Sequence, residues 1–494
     1  MKIVVEQKDA VNLFVDCEKS IAKELNQYFT FYVPNYQYTP AYKKKIWDGQ
    51  IRLFNLYGKR IYCGLLDHIN QFCIDRKYEV EYNLHEYDQL ISKKDFFDYV
   101  KSLNLKHTPY PHQLAACYHA LKTNRSLLLS PTGSGKSLII YILIRYLLDL
   151  NFDIKKILVI VPTVGLVNQL YYDFKSYSEN NKWDVEKNLH KIFSGQDKKT
   201  DKKIVVSTWQ SLYNMPKDFF SDFDAVFGDE CHLFKSKSLV SLMTKLENAY
   251  FRIGTTGTLD GTLTHKLVLE GLFGSVFKVT STKKLIEKQL LTDVKINCLN
   301  LQYPEEEKNK MKRSAYQDEI KYIVENSKRN EFIKNLSLNI KGNTLLLFNY
   351  VDLHGKVLLD LIEKESKDKK VFFIYGGTDA DQRENIRNIL DLEENAILIA
   401  SYGTCSTGIN IPKIQNVIFA SPSKSVIRVL QSIGRGLRKS KGKNQTTIYD
   451  ISDDLSYKKY INHTMNHLDE RIKIYNNEKF PFILKKIKFY GDES

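Results

Sequence analysis

Two successive series of short apolar segments, each alternating with longer helix-compatible stretches, constrain the fold of this chain more than any other feature. Such segments predict buried strands, and the stretches between them predict helices. The first series comprises residues 126–129, 156–161, 203–207, 225–228 and 251–254. The second series comprises residues 344–348, 371–374, 396–400, 417–420 and 446–450. Because strands that alternate with helices form parallel sheets, the sequence predicts an α/β fold with two tandem parallel-sheet lobes.

A glycine-rich loop follows the first strand of the first series. Residues 130–137 read SPTGSGKS and are followed by a helix-compatible run of leucines and isoleucines. Backbone N–H groups of such a loop, together with the N-terminal end of a helix, bind phosphate oxygens. The residues expected to cradle the phosphates are Thr132, Gly133, Ser134 and Gly135. Lys136 is expected to contact the β- and γ-phosphates, and the Ser137 hydroxyl to bind Mg²⁺. Ser130 replaces the first glycine of the full pattern, so a plain Gly/Ser turn with a surface lysine stays open.

A second, acidic element lies further along the first series. Residues 223–232 read FDAVFGDECH, an apolar strand that ends in two adjacent carboxylates. At the end of a buried strand, Asp229 can bind the metal through water and Glu230 can activate the attacking water. An exposed acidic pair without such a role is the alternative reading. Together with the glycine-rich loop, this element predicts an ATP-hydrolysing site with ATP and Mg²⁺ as cofactors.

Composition excludes several classes of protein. A hydrophobic share of 43% and a charged share of 27% are ordinary for a globular protein. No run approaches the ~20 apolar residues that a membrane-spanning helix needs, and the N-terminus lacks the pattern of a secretory signal. The seven cysteines contain no CxxC pair, so neither a zinc site nor a disulfide framework is expected. We therefore expect a soluble, cytoplasmic protein that does not bind a membrane.

The net charge of +15 favours a polyanionic partner, and its distribution is more informative than its sum. Residues 1–100 carry no net charge, whereas the basic stripe, residues 41–60, contains six lysines and arginines against one aspartate. The cations that we expect to contact DNA are Lys43, Lys44, Lys45 and Arg52. Interleaved cations and aromatic rings are typical of nucleic-acid surfaces. The alternative is a β-hairpin with a solvated basic face, a buried Trp47 and a turn at Asp48-Gly49.

Further segments of the first series resemble, in order, the motifs of superfamily 2 helicases. Residues 161–163 read VPT and are followed by Gln169, which is similar to a motif that contacts the DNA backbone in that family. Residues 207–212, STWQSL, resemble the next strand-contacting motif, and residues 255–259, TTGTL, resemble the motif that couples hydrolysis to lobe movement. The resemblance implies that both lobes are RecA-like. The DNA contacts that it implies in the first lobe are Thr163, Gln169, Thr208 and Trp209.

The second series carries the most specific match to this family. Residues 431–438 read QSIGRGLR and match the family pattern QxxGRxxR. Phosphoryl transfer spreads charge over the γ-phosphoryl oxygens, and a guanidinium stabilises that charge strongly. By resemblance, Arg435 and Arg438 are such arginine fingers, and Gln431 helps to hold the water or the γ-phosphate. On its own, the segment could also be a basic surface helix.

Two shorter segments add candidate residues. Residues 401–410 resemble the fifth family motif, which implies a DNA contact by Thr404 and a nucleotide contact by Gly408. Gln113 stands where the family has its adenine-reading glutamine, and a side-chain amide can both donate to and accept from the adenine edge. Tyr110 is a candidate to stack on the base. A plain helix N-terminus is the alternative for this stretch, because a histidine stands where many relatives have an aromatic residue.

Within the superfamily, the chain resembles the UvsW-type recombination helicases of tailed phages. Residues 47–53, WDGQIRL, are similar to that family's WDGRIRL segment, and the likeness extends to residues 469–472, DERI. The family migrates Holliday junctions, regresses stalled forks and dissolves R-loops, and its N-terminal module binds DNA. The resemblance implies branched, duplex and single-stranded DNA as partners, RNA–DNA hybrid as a further substrate, a monomer, and the host cytoplasm for a phage-encoded protein. Residues 255–259 depart from the GSL-like sequence expected of the family, which bears on coupling and not on activity.

The predicted organisation has three parts. Residues 1–105 are a small α+β DNA-binding module, residues 106–300 the lobe with the phosphate loop, and residues 301–494 the lobe with the arginine fingers and C-terminal helices. The charged stretch 303–329 is predicted to be largely helical. We predict an ATP-dependent DNA helicase that acts on branched DNA in recombination, repair and replication. An RNA helicase, the translocase part of a restriction system and a non-catalytic nucleic-acid scaffold stay open as alternatives.

Overall fold

The computed structural model describes residues 2–85, 92–150, 154–234, 236–259, 261–406, 413–437, 439 and 443–490, with the backbone alone at 380, 405, 406, 426, 427 and 435. By internal contacts, the chain divides into two compact units. The first comprises Met1–Ser130 and Gly135–Val279, and the second comprises Pro131–Ser134 and Thr280–Ser494. No helix in the described ranges is long and apolar enough to cross a membrane.

The N-terminal part of the first unit is the predicted α+β module. Its elements are β1 (Lys2–Gln7), β2 (Asn12–Asp16), α1 (Lys19–Tyr28), β3 (Thr30–Tyr32), α2 (Pro40–Lys43), β4 (Gln50–Arg52), β5 (Arg60–Tyr62), α3 (Leu66–Arg76) and β6 (Glu79–Asn83). The main sheet has the order β5-β2-β1-β6, in which only β1 and β6 run parallel. Ile3 and Val5 of β1 are buried and their neighbours are more exposed, as expected of a strand with one face on a core.

The tight hairpin predicted at Asp48-Gly49 is wrong. Strand β4 pairs antiparallel with β3, so the connection between the two strands is long and contains α2. Gly49 has a left-handed conformation with a φ of 82°, and the Gln50 N–H donates a 3.1 Å hydrogen bond to Asp48 Oδ1. The dipeptide therefore makes the turn that enters β4, but it does not join two adjacent strands.

The module shares one hydrophobic core with the sheet that follows it. Phe72 of α3, for example, belongs to the same buried cluster as Phe273 of the first lobe. The backbone of Gly64 approaches this lobe so closely that a Cβ atom there would lie 1.9 Å from the Glu270 carbonyl oxygen. His68 Nε2 and Glu270 Oε2 are joined by a 3.0 Å hydrogen bond. The module and the first lobe therefore form one compact body.

The first lobe is a parallel sheet covered by helices, as predicted. Its elements are α4 (Lys93–Ser102), α5 (Pro111–Thr123), β7 (Arg125–Leu129), α6 (Lys136–Asp149), β8 (Lys156–Val161), α7 (Val164–Tyr177), α8 (Val185–Asn188), β9 (Leu189–Ile192), β10 (Ile204–Thr208), α9 (Trp209–Leu212), β11 (Phe223–Asp229), α10 (Lys237–Thr244), β12 (Phe251–Thr256), α11 (Leu263–Phe273) and β13 (Val276–Lys278). The strand order is β13-β7-β12-β11-β8-β10-β9, and every neighbouring pair is parallel. The five predicted strands are confirmed. The sequence missed the two edge strands: β9 has the polar residues His190 and Lys191 at its centre, and β13 has only three residues.

The second lobe repeats this architecture. Its elements are α12 (Thr282–Glu287), β14 (Asp293–Gln302), α13 (Glu305–Lys310), α14 (Tyr316–Glu325), α15 (Ser327–Asn339), β15 (Thr344–Phe348), a π-helical turn (Val351–Gly355), α16 (Lys356–Glu365), β16 (Val371–Ile374), α17 (Ala380–Leu392), β17 (Ile397–Ser401), α18 (Tyr402–Ser406), β18 (Asn416–Phe419), α19 (Val426–Gly436), β19 (Gln445–Asp454), α20 (His463–Glu478) and β20 (Phe482–Lys488). The strand order is β16-β17-β15-β18-β19-β14-β20, again with parallel pairs throughout. The five strands predicted here and the helical stretch after residue 303 are confirmed.

The prediction of C-terminal helices is only partly right. Within residues 455–490, the structure shows one α-helix of 16 residues, α20, followed by strand β20, which pairs with β14. Most of β20 is exposed, so its side chains lack the alternation that identifies a half-buried strand. The predicted division of the chain at 105/106 and 300/301 stays a prediction. Strand β14 spans the second of these positions.

Candidate active site

The phosphate-loop candidate lies between β7 and α6, where the sequence predicted it. Strand β7 and helix α6 are mostly buried, which fixes both ends of the loop. Gly133 and Gly135 have φ values of 83° and 82°, a left-handed conformation that a side chain disfavours. The Ser130 N–H donates a 2.8 Å hydrogen bond to the Thr256 carbonyl, which ties the start of the loop to β12. Such a curled loop at a helix N-terminus is suited to bind phosphate.

Lys136, which directly follows this loop, forms an ion pair with Glu230. Lys136 Nζ donates a 3.2 Å hydrogen bond to Glu230 Oε1, and the two side chains are 13% and 14% exposed. Glu230 follows the end of β11 in a left-handed conformation with a φ of 52°, which turns the chain sharply after the strand. Asp229, the last residue of β11, accepts a 2.7 Å hydrogen bond from the Thr255 hydroxyl. The first lobe thus brings the predicted lysine and both predicted carboxylates together.

The two carboxylates have opposite electrostatic environments. Burial and the charge of Glu230 raise the pKa of Asp229 above its usual value. For Glu230, burial works against ionisation, but Lys136 and His232 outweigh it and lower the pKa of Glu230 to about 2. Neighbouring acids in unlike environments commonly divide their roles, one remaining ionised while the other can hold a proton.

Gln113 and Ser137 also have partners in the first unit. Gln113 is buried, its Oε1 accepts a 2.7 Å hydrogen bond from the Tyr110 N–H, and its Nε2 lies 3.5 Å from the Gly135 carbonyl. The Tyr110 ring is stacked against that of His112, with 5.7 Å between centroids. Ser137 Oγ is 2.8 Å from the Tyr177 hydroxyl. Gln113 therefore supports both helix α5 and the phosphate loop, whatever its role toward adenine.

In the second unit, the predicted nucleotide residues are described only in part. Gln431 lies on α19 and is buried. Arg435 lies on the same helix, with its backbone alone described. Arg438 and Gly408 lie outside the described residues. Thr404 is buried in α18, and its hydroxyl is 2.8 Å from Ser401 Oγ.

Three of the DNA contacts predicted in the first lobe, Thr163, Thr208 and Trp209, lie at or just beyond the carboxyl ends of strands. Thr163 caps α7 by accepting a 3.4 Å hydrogen bond from the Leu166 N–H, and Gln169 lies further along that helix. Thr208 ends β10 and is buried, with its hydroxyl 3.0 Å from Ser211 Oγ. Trp209 is half-buried and packs against the core. Parallel strands present their carboxyl ends at one edge of a sheet, which is where ligands bind in such folds.

Three lysines of the basic stripe are exposed, whereas Lys59 and Arg52 have acidic partners. Lys43, Lys44 and Lys45 are all exposed at the end of α2 and beyond. Arg52 instead donates to the Asp48 carboxylate and to the Gln50 side chain, and this hydrogen bond lowers the pKa of Asp48. Exposed tyrosines accompany the lysines: Tyr38 is 75% exposed and Tyr57 is 98% exposed. The alternative hairpin interpretation predicted a buried Trp47. In the structure Trp47 is half-buried, and its Nε1 donates a 2.9 Å hydrogen bond to the Gln50 carbonyl.

Comparison with known proteins decides the family. Over an alignment 511 positions long, the chain is 35% identical to the ATP-dependent DNA helicase uvsW of Enterobacteria phage T4, and the match covers 99% of this chain and 100% of that protein. The chain belongs to the UvsW family of DNA helicases. Three family models agree with this assignment. The model of the N-terminal part of DNA helicase UvsW matches residues 2–83. The model of the type III restriction enzyme res subunit matches residues 106–261, and the model of the helicase conserved C-terminal domain matches residues 327–440.

Solved structures support the same conclusion for this UvsW-family chain. The crystal structure of T4 UvsW matches with a TM-score of 0.51 and 32% identity, and the match covers 99% of this chain and 100% of that one. A fragment of a putative HsdR subunit of a type I restriction enzyme from Vibrio vulnificus matches with a TM-score of 0.55 over 86% of this chain and 75% of that chain. Because the identity to the HsdR fragment is 19%, this similarity is evidence for the fold only.

The UvsW-family assignment confirms the main expectations from the sequence. The fold is α/β, with two tandem RecA-like lobes behind a small α+β module. The chain is an enzyme of the ATP-dependent DNA helicase class. The individual ATP and DNA contacts assigned above stay predictions.

Sequence reasoning did not identify two side chains of this UvsW-family site. His232 Nδ1 lies 3.4 Å from Glu230 Oε2 and 3.1 Å from Thr256 Oγ1, so it links the acidic element to the end of β12. Tyr177, at the end of α7, reaches the hydroxyl of Ser137. The histidine follows the carboxylate pair directly in the sequence and could have been found there. The tyrosine is 40 residues from its partner and carries no local signal.

Proposed function

We propose that this chain binds ATP–Mg²⁺ at the phosphate loop and β11, hydrolyses the ATP, and thereby remodels branched DNA. The reactions are Holliday-junction branch migration, fork regression and R-loop unwinding, in recombination, repair and replication. The observation that carries the proposal is the 3.2 Å hydrogen bond between Lys136 and Glu230. It brings the candidate phosphate-binding cation and the candidate base for water into one site.

The residues around this contact fit a magnesium nucleotide. Thr132, Gly133, Ser134 and Gly135 supply backbone N–H groups for the phosphates. The left-handed glycines and the N-terminus of α6 favour an anion there. Ser137 and Asp229 are the candidates to hold Mg²⁺, directly or through water, since this ion prefers oxygen ligands. When bound, the ion would neutralise part of the negative charge of the phosphates. Gln113 and Gly408 are further candidates for contact with the nucleotide.

In this proposal, phosphate binding weakens the attraction between Lys136 and Glu230. A carboxylate with a pKa near 2 is a weak base toward water. After burial, which opposes ionisation, the charge of Lys136 is the largest influence on Glu230. A phosphate that attracts the ammonium away therefore raises the pKa of Glu230 and makes it a stronger base. In this proposal, the nucleotide activates the base by competing for the lysine.

The second lobe contributes the remaining catalytic groups in this proposal. Arg435 and Arg438 supply guanidinium charge to the γ-phosphoryl oxygens as charge develops there, and Gln431 holds the water or the phosphate. Support comes from the match of residues 431–438 to the family pattern and from the location of Gln431 and Arg435 on one helix, α19. Hydrolysis then depends on closure of the lobes, which bound DNA favours.

The DNA partner is recognised in two ways in this proposal. Lys43, Lys44 and Lys45 bind phosphates, the exposed Tyr38 and Tyr57 stack on bases, and Arg52 binds DNA by exchanging Asp48 for a phosphate. The two lobes contact a single DNA strand through Thr163, Gln169, Thr208, Trp209 and Thr404. The substrates are branched, duplex and single-stranded DNA, with RNA–DNA hybrid as a further one. The chain works as a monomer in the host cytoplasm.

An ATPase titration tests this function. The steady-state rate of hydrolysis is measured with Holliday junctions, forks, linear duplex, single-stranded DNA, RNA–DNA hybrid and RNA at matched nucleotide concentration. We expect the strongest stimulation by junctions and forks, and strand separation on the same substrates. Stimulation by RNA alone would support an RNA helicase instead. An absence of any nucleic-acid-dependent hydrolysis would overturn the proposal.

A further inference from the structure

A short loop of the second lobe is held by side chains through every one of its carbonyl groups. The carbonyl loop, residues 420–423, follows β18, and Lys424 and Ser425 connect it to α19. Its four hydrogen bonds are Arg329 Nη2 to the Ala420 carbonyl at 2.8 Å, the Tyr402 hydroxyl to that of Ser421 at 3.2 Å, Asn349 Nδ2 to that of Pro422 at 3.4 Å, and Arg471 Nη1 to that of Ser423 at 3.0 Å. The donors come from four separate parts of the lobe, so the loop is fixed from several directions at once.

The two arginines at the ends of the carbonyl loop are themselves held rigidly. Arg471 of α20 donates a 2.8 Å hydrogen bond from Nε to Asp450 Oδ2, and Arg329 of α15 is bidentate to Asp453. All four side chains are buried. Burial disfavours a charged guanidinium, but the facing carboxylate keeps the pKa of Arg471 above its usual value. Arg471 uses two different nitrogens, Nε for the carboxylate and Nη1 for the Ser423 carbonyl, whereas a lysine would have to serve both groups from its single nitrogen.

The carbonyl loop leads directly into the helix that carries the proposed catalytic groups. The Ser425 N–H donates a 3.3 Å hydrogen bond to Ser423 Oγ, and Ser425 Oγ caps α19 by accepting from the Arg428 N–H at 3.4 Å. Gln431 and Arg435 lie on this helix. A shift of Ser423 would therefore move the start of α19, and with it the groups that must meet the γ-phosphoryl group.

We propose that Arg471 is a positioning residue for ATP hydrolysis, which acts by holding the Ser423 carbonyl and thereby the start of α19. The inference rests on the proposed function of Gln431 and Arg435. It gives a role to the DERI segment, residues 469–472, which lies beyond the part of the chain matched by the helicase C-terminal model, residues 327–440. Arg471 touches neither nucleotide nor DNA in this proposal.

The test compares two variants, each of which weakens an interaction with the buried carboxylate of Asp450. Arg471→Lys keeps a positive charge beside Asp450 but loses the fork that reaches Ser423. Tyr475→Phe removes a 2.8 Å hydrogen bond to Asp450 Oδ2 from the same helix and leaves the carbonyl loop untouched. Both should lower the melting temperature. Only Arg471→Lys should lower kcat at saturating DNA, by about tenfold, with KM for ATP within about twofold, because a misplaced transition-state group costs kcat.

Amide hydrogen exchange adds a local readout. Exchange in α19 should accelerate in Arg471→Lys and stay at the wild-type rate in Tyr475→Phe. Wild-type kcat in Arg471→Lys, or an equal loss of kcat in both variants, would overturn the proposal. If Arg471→Lys does not fold, Tyr402→Phe decides, since it removes the hydroxyl that holds Ser421: a lower kcat supports the inference and a wild-type kcat overturns it.

The outcomes separate this inference from the proposed function. If the wild-type chain shows no DNA-dependent hydrolysis, or if Lys136→Ala hydrolyses ATP at the wild-type rate, the proposed function itself fails. If the wild type is active, Lys136→Ala is inactive and Arg471→Lys has wild-type kcat, the positioning role of Arg471 alone fails.

Discussion

Lys136 donates a 3.2 Å hydrogen bond to Glu230, so the cation expected to bind phosphate and the carboxylate expected to activate water neutralise each other in this structure. Both side chains are largely removed from solvent, and the pair is therefore weakly screened. In the proposed function, a nucleotide competes with Glu230 for the ammonium of Lys136. On the same proposal, the two residues are separable by mutation, because the lysine serves binding and catalysis whereas the glutamate serves catalysis and opposes binding.

Lys136→Ala should abolish ATP turnover and leave DNA binding largely intact. The variant removes the ammonium from the phosphate loop, and the hydrolysis rate should fall at least about 100-fold, as expected for the loss of a transition-state charge contact. Steady-state ATPase assays and fluorescence anisotropy with a forked DNA measure the two properties. Lys155→Ala, which removes an exposed lysine of the same lobe, is the matched control and should keep both. Turnover at the wild-type rate in Lys136→Ala would refute the assignment of the loop.

Glu230→Gln should bind ATP at least as tightly as the wild type but hydrolyse it about 10²–10⁴ times more slowly, the usual contribution of a general base. The amide keeps the shape of the side chain but no longer holds Lys136 by charge. Binding of a fluorescent nucleotide and single-turnover hydrolysis would separate the two effects. A weaker nucleotide affinity would show that Glu230 does not compete with phosphate. An unchanged hydrolysis rate would show that another group acts as the base.

Much of the fold follows from local sequence signals. Ten strands were predictable because buried parallel strands are short, continuous apolar runs, and the phosphate loop and the acidic element are contiguous in the chain. In the two lobes, the missed strands are β13, which has only three residues, β20, which is mostly exposed, and β9 and β14, whose apolar runs are interrupted by polar residues. Hydrophobic periodicity has little to read in such segments.

The contacts that complete the site depend on tertiary structure. His232 meets Thr256 across 24 residues of sequence, and Arg471 meets Ser423 across 48 residues. The first contact exists because β11 and β12 are neighbours in the sheet, and the second because α20 lies beside the loop after β18. No single segment of the sequence encodes either arrangement. The same holds for Gly64, whose lack of a side chain is explained only by the approach of α11.

Gly64→Ala should destabilise the chain by about 2 kcal/mol or more, because the added methyl group would overlap the Glu270 carbonyl oxygen, a backbone atom that cannot move aside alone. Thermal unfolding followed by circular dichroism measures the change. Gly58→Ala is the control: its Cβ would meet nothing closer than 3.5 Å, and stability should change by no more than about 0.5 kcal/mol. Equal melting temperatures for the two variants would contradict the close approach of the module to the lobe.

Replacing Lys43, Lys44 and Lys45 together by alanine should weaken binding to branched DNA and flatten its dependence on salt. For every DNA phosphate that the variant no longer neutralises, the slope of log K against log salt concentration should become shallower by about 0.9. Fluorescence anisotropy at several salt concentrations gives the slope. A triple variant at the exposed Lys283, Lys284 and Lys288 of the second unit lowers the net charge equally and controls for general electrostatics. Identical slopes for the two triple variants would argue against a specific DNA contact by the basic stripe.

The second lobe should lose stability in mild acid through His467 of α20. Burial, with the nearby charges of Arg471, Lys424 and His463, lowers the pKa of His467 to about 4 in the folded chain, against about 6.5 when unfolded. Between these pH values the unfolded chain binds more protons, so stability falls as the pH drops from 6.5 toward 4, by about 1 to 2 kcal/mol once solvent screening of the ring is allowed for. Melting temperatures across this range should decline less steeply in His467→Gln. His85→Gln, which removes an exposed imidazole from the first unit, is the control and should follow the wild type. A wild-type slope in His467→Gln would show that this imidazole is protonated alike in the folded and unfolded chain.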